Sequence, residues 1–305
     1  MRTYRYLHVD VFTDTALEGN QLAVFPKPDG LSTDEMQRIA REMAFSESTF
    51  IFPAGAPGTD VRMRIFTPAE ELPMAGHPTI GSTFALAAEG VIKPGQDAFV
   101  FGLNVGPTPV SMTWKNRDLD FAWMTQQLPK VGGRVEDKSA FAEALGVSAS
   151  ELSGDLPIEN VSCGVPFLFA PLGTRAAVDR VSIARSAYAA TLEKSGIEEL
   201  PVFVFTLDRT GASGDETVYS RMLAPGLGVA EDPATGGASG PLGCYLSAHN
   251  LLPEDRLQHF VSLQGVAMKR PSRIHISIER TGTRVNKVRV GGRSVLLGEG
   301  TIRLP

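Results

Sequence analysis

A glycine-centred turn occurs twice in this chain, and that repetition constrains the fold more than any other feature. Glu71-Leu72-Pro73-Met74-Ala75-Gly76-His77-Pro78-Thr79 is the first copy. Glu231-Asp232-Pro233-Ala234-Thr235-Gly236-Gly237-Ala238-Ser239 is the second, with Gly236 lying 160 positions after Gly76. Each copy has an Arg and a Pro upstream (Arg64 and Pro68; Arg221 and Pro225) and a small, apolar, helix-like run downstream. Self-similarity at this spacing predicts two similar halves rather than a short-period array. A chain of 305 residues is long enough for two domains with separate cores.

Composition excludes several classes. Hydrophobic content of 43% and charged content of 21% are ordinary for a soluble globular protein. A net charge of -5 offers no basic patch for nucleic acid. No segment reaches the ~20 apolar residues of a membrane helix. The start Met1-Arg2-Thr3-Tyr4-Arg5-Tyr6 leads into a strand-like alternation and does not read as a secretory signal, so a cytoplasmic location is expected. Cys163 and Cys244 have neither CxxC spacing nor a His partner at metal-ligand spacing, and read as two small buried residues.

Local patterns place the elements. Leu7, Val9 and Val11 alternate with His8 and Asp10 as a first strand, and Gln21–Phe25 follows a turn at Glu18-Gly19-Asn20. Ser32 and Glu35 form a capping-box pattern ahead of Met36, Ile39, Ala40 and Met43, the clearest helix in the chain. Thr49–Phe52 and Val61–Phe66 read as strands. The runs Thr79–Ala88 and Ala238–His249 carry almost no charge, and a helix without a polar side is a buried one. Strand patterns at Phe167–Ala170, Val202–Leu207, Tyr219–Leu223 and Ile274–Ile278 repeat the theme. Many short strands around one apolar helix suit a curved β structure in each half, not a parallel βαβ sheet. The boundary is placed near residue 128, giving domains 1–128 and 129–305, with the last strand free to return to the first.

The turns also suggest chemistry. A helix N-terminus offers unpaired N–H groups and a positive dipole end, which attract an anion. Gly76, Gly236 and Gly237 allow a ligand close to the backbone, and Pro78 suits a first helical turn. Both turns could equally be tight strand-to-helix connections; their duplication favours the binding reading. Gly236–Gly243 is not a phosphate loop, lacking a terminal Gly-Lys-Ser/Thr, and its spacing is not a dinucleotide fingerprint. Ser239 is not a nucleophile elbow, because Pro241 stands where that motif needs glycine.

Taken together, the segments Asp10-Val11-Phe12 with Gly19–Phe25, Phe45–Phe50, Arg64–Pro68, Ala75–Gly81, Glu231–Gly236, and Gln264-Gly265 with Arg270-Pro271-Ser272 resemble the phenazine-biosynthesis PhzF-like family of the diaminopimelate-epimerase-like superfamily. The resemblance implies an α+β fold of two pseudo-symmetric domains, each a barrel-like β-sheet around a central helix, with the active site in the cleft between them. It implies a cofactor-independent isomerase, without a metal, working as a homodimer on a small anionic substrate. By the same analogy Glu47 is the catalytic acid/base, His77 and Asp232 line the site, and the backbone of Gly76, Gly236 and Gly237 holds substrate. The expected reaction moves a proton between carbons of a small unsaturated carboxylic acid resembling dihydro-3-hydroxyanthranilate. The alternatives are an epimerase or racemase of another small acid, or a non-catalytic binding protein that keeps the fold.

Related epimerases and racemases place a cysteine just before each helix glycine, where this chain has Ala75 and Thr235. Two-thiol racemisation is therefore unavailable at those positions. Gly237 stands where a serine is common in the family, and Ser239 where a histidine is. From position alone Glu47 is one acidic residue among 34, a solvated loop carboxylate; Phe45 and Phe50 beside it suggest an apolar pocket. His77 reads as a proton partner, an orienting hydrogen bond or a helix cap. Asp232 reads as a substrate ligand or as a cap on its turn.

Overall fold

A computed structural model describes residues 1–207, 216–227 and 229–305. The chain forms two compact units, Met1–Thr125 with Arg289–Pro305, and Gln126–Val288. The C-terminal strand Ser294–Leu304 thus lies in the first unit, where it pairs antiparallel with the opening strand.

The first unit runs β1 (Arg2–Val11), β2 (Asn20–Phe25), α1 (Thr33–Met43), β3 (Glu47–Pro53), β4 (Val61–Phe66), β5 (Glu71–Leu72), α2 (Gly76–Ala88), β6 (Ala98–Leu103), β7 (Gly106–Lys115) and β8 (Asp118–Gln126). The second runs β9 (Lys130–Arg134), α3 (Lys138–Ala144), β10 (Glu159–Ser162), β11 (Pro166–Pro171), α4 (Arg175–Arg180), α5 (Arg185–Lys194), β12 (Val202–Leu207), β13 (Glu216–Ala224), β14 (Val229–Asp232), α6 (Gly236–Ala248), α7 (Glu254–Leu257), β15 (Phe260–Gln264), β16 (Ser272–Thr281) and β17 (Arg284–Gly292).

The pairing pattern of one unit recurs in the other. In the first, β1 is antiparallel to β2, β2 parallel to β3, β3 antiparallel to β4, β4 antiparallel to β5 and parallel to β6, and β6 antiparallel to β7. The second repeats that order with β10, β11, β12, β13, β14, β15 and β16. Each parallel step needs a crossover: α1 bridges β2 to β3, α4 and α5 bridge β11 to β12, and α2 and α6 make the later crossings. The doubled turn of the sequence is the entry to the last crossover in each unit.

The capping box at Ser32 and Glu35 forms as expected, with Ser32 N donating to Glu35 Oε2 at 2.8 Å and Glu35 N to Ser32 Oγ at 3.2 Å. Helix α1 sets Met36, Ile39 and Ala40 against Phe25, Phe50 and Phe66 in the apolar cluster on one side of the sheet. Helices α2 and α6 are buried almost throughout. The first packs on β1, β2, β3 and the C-terminal strand, the second on β10, β11 and β16. Two buried strands, β10 and β15, are absent from the sequence expectations: β10 has four residues, and all five residues of β15 are buried, so neither alternates in polarity over a useful length.

Close packing explains the glycine-rich central helices. A Cβ on Gly243 would lie 2.7 Å from Ile278 Cδ1 and 2.9 Å from Ile276 Cγ2, inside normal contact distance. Alanine is the better helix former by roughly 1 kcal/mol, but overpacking a core costs about 1–3 kcal/mol. Gly243→Ala is therefore expected to lower the urea midpoint despite its helix propensity. Among the described residues no helix is long and apolar enough to cross a membrane.

Candidate active site

Glu47 opens β3, and strand alternation decides what it faces. Thr49, two residues on, hydrogen-bonds to Ser82 of α2 at 3.0 Å, so this face of β3 looks onto the central helix. Glu47 shares it, and its Oε2 lies 3.3 Å from Nε2 of His77 in the first turn of α2. The carboxyl side chain is 14% exposed and the imidazole 3%. Phe50 points to the opposite face, stacking on Phe25 at 4.8 Å between ring centroids and meeting Phe66 edge-on at 5.5 Å. The expected apolar wall around Glu47 thus does not include Phe50, because period two sends it into the α1 core. Phe45 stacks on His8 instead, at 4.7 Å.

Burial sets the state of His77. Removal from water pushes its pKa from the ordinary 6.5 down to about 3, and a hydrogen bond to the Gln21 carbonyl offsets only part of this. The ring is neutral near pH 7 and carries one hydrogen. Asn20 Nδ2 lies 3.2 Å from His77 Nδ1. With the amide donating, the ring hydrogen is on Nε2 and faces the Glu47 carboxylate; with the hydrogen on Nδ1, Nε2 can accept from a protonated Glu47. Nε2 and Oε2 face each other without a formed hydrogen bond between them in this structure. At 3.3 Å the contact exceeds the ~2.7–2.9 Å of a charge-assisted pair, as catalytic contacts commonly do before substrate binds.

The same shift predicts a pH dependence. The folded-state pKa of His77 lies below its unfolded value, so between about 3 and 6.5 the unfolded chain binds the extra proton. The stability from a neutral His77 is complete above 6.5 and is lost as pH falls toward 3. Urea unfolding from pH 7 to 4 is expected to be less steeply pH-dependent in His77→Gln than in the unsubstituted protein.

The second unit gathers the other proposed residues. Thr235 precedes α6 but does not cap it: its hydroxyl donates to Asp232 Oδ2 at 2.6 Å and accepts from Gln264 Nε2 at 3.0 Å. Gln264 Nε2 also donates to the Asp232 carbonyl at 2.7 Å, and its Oε1 accepts from Thr235 N at 3.1 Å. The turn is thus fixed from outside the helix, and neither Thr235 nor Ala75 caps the first turn that follows it with a side chain. Those turns present the backbone N–H groups of Gly76 and His77, followed by Pro78, which has none, and of Gly236 and Gly237, with no capping side-chain oxygen on either. Behind Gly236, Gln126 Nε2 donates to its carbonyl at 2.9 Å.

Each turn also has an arginine clamp. Arg64 grips Glu71 with Nε to Oε1 at 2.8 Å and Nη2 to Oε2 at 2.5 Å, which holds the Glu71 carboxyl below the usual range. Arg221 grips Glu231 in the same bidentate way at 2.9 and 2.8 Å. The sequence places an arginine upstream and a glutamate at the start of each turn, Arg64 with Glu71 and Arg221 with Glu231, but does not show their pairing. In the sequence, Asn20 and Gln264 stand out only as members of the segments that resemble the family; their contacts with His77 and Thr235 span 57 and 29 positions. Among the described residues no cluster of three or more His, Cys, Asp or Glu could hold a metal ion.

Against known proteins, the family model described as "Phenazine biosynthesis-like protein" matches residues 9–300. A protein of Pseudomonas aeruginosa named trans-2,3-dihydro-3-hydroxyanthranilate isomerase is 35% identical over 297 residues, which cover 97% of this chain and 98% of that one. A PhzF-family phenazine biosynthesis protein of Bacillus anthracis superimposes with a TM-score of 0.86 at 24% identity over the full length of both chains. A hydroxyproline epimerase of Agrobacterium vitis shares the fold at a TM-score of 0.66 and 16% identity, over 99% of this chain and 91% of that one. The recurring strand order, the two buried helices and these likenesses agree: the chain belongs to the phenazine biosynthesis-like family and is an isomerase with the α+β diaminopimelate-epimerase-like fold.

Proposed function

We propose that this isomerase moves a proton between two carbons of a small unsaturated carboxylic acid, with Glu47 as its single general acid/base. The observation that carries the reading is the half-buried Glu47 carboxyl held 3.3 Å from a neutral, buried His77. The carboxylate takes a proton from one carbon, the substrate's conjugation spreads the charge, and the resulting acid returns the proton to a second carbon on the same face. The carboxyl group ends as it began, so no cofactor is consumed. His77, with Nε2 3.3 Å from Oε2, is placed to orient the carboxyl once substrate is bound. In the first unit the uncapped N–H of Gly76 beside Glu47 suits the substrate's carboxylate; in the second, the turn with Asp232, Gly236 and Gly237 suits an anion next to an amino or hydroxyl group. Ala75 and Thr235 leave no thiol at the helix entrances, which favours a carboxyl-based transfer over a two-thiol one.

The relative's printed name supplies the first compound to try. Incubation with trans-2,3-dihydro-3-hydroxyanthranilate in D₂O, followed by NMR, is expected to give a product with a displaced double bond, with solvent deuterium at the newly protonated carbon to the extent that the Glu47 proton exchanges with solvent before it is returned. Deuterium at a stereocentre with the double bonds unmoved would replace this reading by epimerisation. No turnover would remove this compound as substrate.

A further inference from the structure

Cys163 and Cys244 lie side by side in the second unit, with 3.8 Å between their sulfurs, and both are free thiols. Cys163 follows β10 and is fully buried; Cys244 is on α6 and is 3% exposed. They are not in equivalent environments. Cys244 lines a cavity of about 360 Å³ bounded by Leu128, Val131, Val161, Arg284 and Val285. Cys163 does not line it, and sits behind Cys244. The cavity therefore gives access to Cys244 and not to Cys163.

We propose that this pair is an oxidative modification site: Cys244 reacts with hydrogen peroxide admitted by the cavity, and Cys163 resolves the product to an intramolecular disulfide. In the first step the Cys244 sulfur attacks the O–O bond. An S–O bond forms, the O–O bond breaks, the second oxygen leaves as water with the thiol proton, and Cys244 becomes a sulfenic acid, oxidised by two electrons while the peroxide is reduced. In the second step the Cys163 sulfur attacks that sulfur. The S–S bond forms, the S–O bond breaks, and hydroxide leaves as water with the Cys163 proton. Only about 1.8 Å of closure separates the present sulfur spacing from a disulfide bond.

The electrostatics favour this order. The hydrogen bond to Cys244, with burial behind it, pushes the Cys163 thiol up, so Cys163 keeps its hydrogen. The bond would tie the segment after β10 to α6, the helix whose first turn carries Gly236 and Gly237.

The test uses the whole native chain treated with hydrogen peroxide, read by intact mass and by peptide mapping without reduction. The expected result is a mass lower by two hydrogens and a linked Cys163–Cys244 peptide. In Cys163→Ser the sulfenic acid persists, and dimedone labelling of Cys244 rises on the order of tenfold over the unsubstituted protein. Cys244→Ser leaves Cys163 unoxidised at the same dose. Should either variant misfold, iodoacetamide on the native unsubstituted protein is expected to label Cys244 ahead of Cys163 by on the order of tenfold. An unchanged mass at a dose that oxidises free glutathione, or first labelling at Cys163, would overturn the proposal.

Discussion

Glu47→Gln is expected to lower kcat by roughly 10²–10⁴-fold, the range that a positioned general acid or base contributes, with KM little altered. Glutamine keeps the size of the side chain and its reach toward His77, so packing on α2 is preserved while the exchangeable carboxyl proton is lost. Glu47→Asp keeps the carboxyl but withdraws it by one methylene, and misplacement on the order of 1 Å costs about 10²-fold. His77→Asn should act through Glu47, as a positioning residue: it changes the pH profile of kcat and costs less than Glu47→Gln. The proton exchange of substrate with D₂O separates the roles, since Glu47→Gln should abolish the wash-in and His77→Asn only slow it. Full turnover by Glu47→Gln would remove Glu47 from the chemistry.

The site is asymmetric although its scaffold is repeated. The same strand pairings, the same buried helix and the same arginine clamp occur in both units, yet the Glu47–His77 pair belongs to the first alone. At the position of His77 the second copy has Gly237. A Cβ there would meet only Phe167, at an ordinary 3.7 Å, so glycine is not forced by packing. Gly237→Ser is accordingly expected to fold, since its Cβ is accommodated, and to alter KM among substrates that differ in polar groups. Parallel unfolding and competition assays check both halves of that expectation.

Periodicity and capping made much of the fold legible in the sequence. Ser32 and Glu35 announced α1, uncharged runs announced α2 and α6, and the doubled turn announced a repeated unit. What sequence could not supply was orientation. Phe50 is three residues from Glu47, and only the strand that contains both shows that an odd separation puts them on opposite faces. Gln264 gave no local signal, because its meaning comes from three hydrogen bonds to residues about thirty positions away. The cysteines looked inert because adjacency across 81 positions has no sequence signature.

Arg221→Met should be among the most damaging substitutions for folding outside the core, and more damaging than Arg64→Met. Both arginines grip a glutamate at the entrance to a helix turn, but their remaining contacts differ. Arg64 Nη1 donates to the Thr33 hydroxyl at 3.0 Å. Arg221 Nη1 lies 3.0 Å from each of three carbonyls, those of Val178, Asp179 and Val181, at the C-terminal end of α4. The Val178 carbonyl also accepts from Val181 N at 3.3 Å, but the last carbonyls of a helix lack the full set of intrahelical donors, and a cation there also meets the negative end of the helix dipole. Arg221 is 8% exposed, so water cannot easily replace it. Its loss leaves a half-buried Glu231 carboxylate without its partner as well as the α4 carbonyls; removing one partner of a buried pair costs about 3–5 kcal/mol. A double substitution, Arg221→Met with Glu231→Gln, separates these contributions. It should recover the part due to the stranded carboxylate and leave the part due to α4, so the urea midpoint should lie between those of Arg221→Met and the unsubstituted protein. Complete recovery in the double variant would show that the α4 carbonyls draw no stability from Arg221.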